Sequence, residues 1–132
     1  MEIKVDVDRG IKMIDTVFTN CAGKGFFQRL RSKVECSYPM IEMKNISGDP
    51  TNEELDQLNG RLNQNRGQFG MLVCRNVADR QAVVSRCKTY LPNNYVLVLT
   101  DEEIFELLAY ARERSRNEVN DFMDRKQREL LF

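Results

Sequence analysis

Two short stretches constrain this chain more than anything else in it. Phe69-Gly70-Met71-Leu72-Val73-Cys74 and Tyr95-Val96-Leu97-Val98-Leu99 are nearly continuous in apolar residues and carry no charge. A run of this length without alternation suits a strand covered on both faces, the situation of a parallel sheet with crossover helices lying over it. Between the runs, Ala82, Val83, Cys87 and Tyr90 recur at helical spacing over 78–90, and Pro92 ends that helix. Strand, helix and strand in alternation define an α/β sheet.

The rest of the chain extends this pattern. Ile3, Val5 and Val7 alternate with Glu2, Lys4, Asp6 and Asp8, which predicts a half-buried strand. Asp8-Arg9-Gly10 supplies a turn, and 11–19 a second strand, so the chain opens with a β-hairpin. Phe26, Phe27, Leu30 and Val34 predict a helix over 24–35 with a basic polar side. Pro39 to Lys44 reads as a short strand. Thr51-Asn52-Glu53-Glu54 and Thr100-Asp101-Glu102-Glu103 are capping boxes, each opening a helix. Leu55, Leu58 and Leu62 form the stripe of the first, and Ile104, Leu107, Leu108 and Ala111 that of the second. The predicted fold is a mixed β-sheet flanked by helices, with a core over 1–111 and a charged helical extension over 112–132.

At 132 residues the chain fits one domain. Its 20 Lys+Arg balance 20 Asp+Glu, so the total charge implies no general affinity for polyanions. Histidine is absent, which removes Ser-His-Asp and Cys-His catalysis. The cysteines at 21, 36, 74 and 87 form no CxxC, which argues against zinc and for reduced thiols. No stretch approaches 18 apolar residues, and the N-terminus lacks the apolar core of a signal peptide. A cytoplasmic location without a membrane partner is expected. The chain begins directly in a strand-like run, which suggests a piece of a longer polypeptide.

Charge appears where burial is expected at two places. Asp15 lies inside Met13-Ile14-Asp15-Thr16-Val17-Phe18, and Glu42 and Lys44 lie inside Met40-Ile41-Glu42-Met43-Lys44. Residues two apart in a strand share a face, so Glu42 and Lys44 point one way and Ile41 and Met43 the other. Two carboxylates and an amine on neighbouring strands suit metal-assisted hydrolysis of a phosphodiester. Carboxylate oxygens bind Mg²⁺, the metal acidifies a water, and an ammonium orients that water or stabilises the transition state. The same Glu-x-Lys spacing also serves as a plain salt bridge on a solvated strand. Glu54, Gln57 and Arg61 share a polar stripe beside the leucine face of the following helix.

Asp15 in KMIDTVFTN followed by Glu42-Met43-Lys44 in PMIEMKN resembles the D…ExK signature of the PD-(D/E)xK restriction-endonuclease-like nuclease superfamily. The downstream ELDQLNGRL, GQFGMLVCR and NYVLVLT are similar to Mrr-like members in order and kind, and the resemblance spans roughly 10–108. It implies a restriction-endonuclease-like core. It also implies that Asp15, Glu42 and the Met43 carbonyl bind Mg²⁺, for which Mn²⁺ substitutes. Lys44 would position or activate the attacking water, and Gln57 would support the site. Ile14 stands where the signature has proline, and the helix that opens the family core has no counterpart before the hairpin.

Lys24, Arg29, Arg31 and Lys33 cluster between the two site strands and are candidates for phosphate contact. The expected function is a metal-dependent nuclease acting on DNA rather than RNA, as the effector domain of a larger bacterial restriction or defence protein. A homo-oligomer is expected, a dimer foremost. The alternative is a catalytically silent domain of the same fold that binds nucleic acid or drives oligomerisation.

Overall fold

The computed structural model describes residues 2–4, 16–19, 24–33, 39–44, 48–113 and 115–132. In chain order the elements are β1 (Glu2–Lys4), β2 (Thr16–Thr19), α1 (Gly25–Lys33), β3 (Met40–Met43), α2 (Asn52–Arg61), β4 (Phe69–Cys74), α3 (Arg80–Lys88), β5 (Tyr95–Thr100), α4 (Asp101–Arg112) and α5 (Arg116–Leu131). The five strands form one sheet in the order β1-β2-β3-β4-β5. β1 pairs antiparallel with β2, Glu2 opposite Thr19, and β2 pairs antiparallel with β3, Thr16 opposite Ile41. β3, β4 and β5 are parallel, with Met40 opposite Gly70 and Gly70 opposite Val96. The sheet is therefore mixed, with a three-stranded parallel part joined by α2 and α3. The Asp8-Arg9-Gly10 turn lies outside the described residues.

The parallel part explains the apolar runs. Every residue of β4 is buried, as are Val96 to Leu99 of β5. Gly70 lies under α2, where a Cβ would stand 3.1 Å from Leu58 Cδ1 and 3.4 Å from Leu62 Cδ1. The missing side chain lets the α2 leucines settle close to the strand. Because side chains alternate, Leu72 shares that face, and so does its register partner Glu42 on β3. On the other face Phe69 meets Phe26 of α1 edge to face, ring centroids 5.9 Å apart.

α5 differs from expectation. The stretch 112–132 was expected as a charged extension beside the core, yet Phe122, Met123 and Leu130 are buried in the same cluster as the sheet residues. α5 is thus a packed layer, and its surface charges tie it down. Arg80 of α3 bonds Glu103 of α4 at 3.0 Å and Glu129 of α5 at 2.6 Å, and Lys126 pairs with Glu103. Asn120 Oδ1 accepts from the Phe26 N–H at 3.0 Å at the start of α1. Gly25 just before has φ +81, and a Cβ there would lie 2.7 Å from Asn120 Oδ1, so glycine is required twice over. Cys74 and Cys87 are free and buried, and burial pushes the Cys87 thiol up to about 12. Cys21 and Cys36 lie outside the described residues.

Candidate active site

The site begins at the end of β3. The Lys44 N–H donates to Val73 O at 2.7 Å, which carries the pairing with β4 one residue past Met43. Strand geometry then puts Glu42 and Lys44 on one side. Met43 points the other way and is well exposed, with its backbone opposite Val73 in the ladder. The expected separation of Glu42 and Lys44 from Ile41 and Met43 is what the fold contains.

α2 closes over that side. The Thr51 hydroxyl accepts from the Glu54 N–H at 3.2 Å and starts the helix. The Glu54 carboxylate turns away from the cap to Lys44, 3.1 Å from Nζ. Two turns later the Arg61 guanidinium pairs with the Glu42 carboxylate. Lys44 Nζ also donates to the Asp49 carbonyl at 2.9 Å. The side chains of Lys44 and Glu42 are only 8% and 14% exposed. The pairs run from strand to helix, so the simple picture of a salt bridge along a wet strand is replaced by a crossed quartet. Its two acids and two bases cancel, which is the condition for holding charge in a nearly dry place.

The other sequence candidates distribute as follows. Gln57 lies on the same helix stripe and is exposed, so Glu54 and Arg61 are the residues of that stripe that meet the β3 charges. Asp15 lies outside the described residues. The described ladder between β2 and β3 ends at Thr16 opposite Ile41, which in sequence directly follow Asp15 and precede Glu42 respectively. Lys24, just before α1, is exposed, and Arg29 on α1, also exposed, pairs with Asp124 of α5 at 3.3 Å. Arg31 and Lys33 belong to α1, and their side chains lie outside what the structure describes.

Asp49 is a residue that sequence reasoning missed. Its carboxylate accepts from the N–H groups of Ala78 at 2.6 Å and Asp79 at 2.8 Å, and these bonds hold its pKa below the usual 3.8. It thereby fastens the loop after β4 to the loop before α2, and its carbonyl fixes Lys44. The signal was present in Gly48-Asp49-Pro50, which reads as a turn; an Asp there also has a carboxylate ready to accept backbone N–H groups.

Among the described residues no group of three or more Cys, Asp or Glu side chains gathers as a metal cage. The chemistry of the donors nevertheless fits a hard cation, because Glu42 and Glu54 present carboxylate oxygens. Each already faces a positive side chain, so a metal at Glu42 would stand where Arg61 now supplies the counter-charge. No helix among the described residues is long and apolar enough to cross a membrane. Comparison with models of known protein families, with curated proteins and with solved structures finds no match for this chain.

Proposed function

We propose that this chain is a metal-dependent nuclease domain with a restriction-endonuclease-like core, cutting DNA by attack of water on a phosphodiester. One observation carries the reading. Glu42 and Lys44 project from one side of β3 while β2 runs antiparallel beside it, its last described pair adjacent to Asp15 and Glu42. In this reading Asp15, Glu42 and the Met43 carbonyl hold Mg²⁺ or Mn²⁺, which would acidify a water and offset phosphoryl charge. Lys44, held by Glu54 and the Asp49 carbonyl, is a positioned ammonium that orients the water. Gln57 supports the site from α2. Target choice belongs to other domains of a longer, cytoplasmic restriction or defence protein, and a dimer would let two sites cut two strands.

The test is cleavage of supercoiled plasmid in Mg²⁺, Mn²⁺ or EDTA, beside Lys44→Ala and Asp15→Ala proteins shown by circular dichroism to fold. The expected result is nicking that needs metal and falls at least a hundredfold in both variants. A second reading has its own support in the ion pairs. With Glu42 engaged by Arg61 and Lys44 by Glu54, the same fold can serve as a silent nucleic-acid-binding or oligomerisation module. Folded wild-type protein that binds DNA equally in Mg²⁺ and EDTA without cutting it would select that reading.

A further inference from the structure

α4 leaves one stripe of its surface unused. On one side, Glu103 pairs with Lys126, Glu106 faces Arg125 at 3.5 Å, and the Tyr110 hydroxyl donates to Glu106 at 2.9 Å, all toward α5 or within that face. Ile104 and Leu107 pack partly against the core. The remaining stripe is Asp101, Phe105, Leu108 and Arg112, spaced four, three and four residues apart, the repeat by which helices meet helices. Phe105 is 69% and Leu108 57% exposed, and with Ala109 and Arg112 they line a shallow groove. Large apolar side chains exposed side by side on one face mark a contact surface.

The order of the stripe says what covers it. It reads acid, apolar, apolar, base, and it is complementary to itself when reversed. An antiparallel copy centred midway between Phe105 and Leu108 sets Asp101 against Arg112 of the copy at both ends. The same placement sets Phe105 against Leu108 in the middle and Ile104 beside the small Ala109. Neither Asp101 nor Arg112 has an ion-pair partner among the described residues, so both charges remain to be used. Antiparallel packing also opposes the two helix dipoles favourably. The zero net charge of the chain leaves no overall repulsion between copies.

We propose that the Asp101-Phe105-Leu108-Arg112 stripe of α4 is a two-fold, antiparallel docking surface for a second copy of this chain. The proposed contact thus lies wholly on α4. The inference does not depend on nuclease chemistry.

The test is sedimentation equilibrium of the whole chain from micromolar to hundreds of micromolar. The expected mass at high concentration is twice 15.4 kDa. Leu108→Glu, at an exposed position, leaves the fold intact and weakens association at least about tenfold, a loss typical of a central contact residue. Asp101→Arg and Arg112→Asp each weaken it by placing like charges together at both ends, and the double reversal restores it to within about threefold of wild type. Circular dichroism of each variant confirms the folded state. A monomer at every concentration overturns the proposal and gives the stripe to a different protein. A dimer indifferent to Leu108→Glu also overturns it, by placing the contact elsewhere. Single and double reversals that behave alike overturn the antiparallel alignment.

Discussion

Lys44 shows what burial demands of a charged residue. Its ammonium is enclosed, so it is held by a carboxylate and a carbonyl from the loop and helix that follow its strand. Removing one partner leaves a charge without compensation, which costs more than the pair contributes when intact. Because Glu54 is partly open to water, we expect Glu54→Ala to lower stability by about 1–2 kcal/mol. Lys44→Met in that background should recover most of the loss, which a double-mutant cycle in urea would read. Asp49 makes a pH-dependent contribution. Its folded pKa is depressed by the Ala78 and Asp79 N–H groups, so the stability it contributes is fully present above 3.8 and is lost as pH falls through the lower folded value. Asp56, lowered by the Tyr90 hydroxyl at 2.5 Å and by Arg86, acts in the same direction. Replacing Asp49 with Ala should therefore narrow the gap in unfolding midpoint between pH 7 and pH 3 while leaving the Asp56 share in place. The candidacy of Glu42 and Lys44 was legible from period-two spacing. Their actual partners were not, because Glu54 and Arg61 share a helix stripe with Gln57, and nothing in that stripe says which members face a strand.

At the scale of elements, local signals carried far. The two uncharged runs became the parallel strands β4 and β5 because only strands covered on both faces can be apolar at every position. The two capping boxes began helices where expected, yet only one is complete. At α4 the Thr100 hydroxyl accepts from the Glu103 N–H at 3.3 Å, and Glu103 Oε1 accepts from the Thr100 N–H at 3.2 Å. At α2 the Thr51 half is made while Glu54 serves Lys44 instead. A lysine shielded from water outcompetes a backbone amide for a carboxylate, since the charge has more to lose. Thr100→Ala removes a cap from a helix whose acid also binds Arg80 and Lys126. We expect it to cost about 1 kcal/mol or somewhat more. The comparison is Thr51→Ala, measured under the same denaturant conditions.

At the scale of the molecule, α5 marks the limit of sequence reading. Its sparse apolar positions among alternating charges read as a charged helical extension, but Phe122 and Met123 are fully enclosed. A narrow apolar stripe is enough when the charges flanking it find partners on α1, α3 and α4, as Asp124, Glu129 and Lys126 do. Phe122→Ala should cost about 3–5 kcal/mol, read as a shift of the urea midpoint for the whole domain, as for any large core truncation. A helix peripheral to the core would give almost no shift. The sequence by itself determined the alternation of strand and helix, the mixed sheet and the two faces of β3, because these follow from side-chain period and backbone preference within a few neighbouring residues. The tertiary structure alone decided that α5 belongs to the core, that Arg61 and Glu54 neutralise Glu42 and Lys44, and that one stripe of α4 stays open. Those outcomes depend on which charges and surfaces meet across segments far apart in the chain, where burial and electrostatic pairing govern and local propensity has no say.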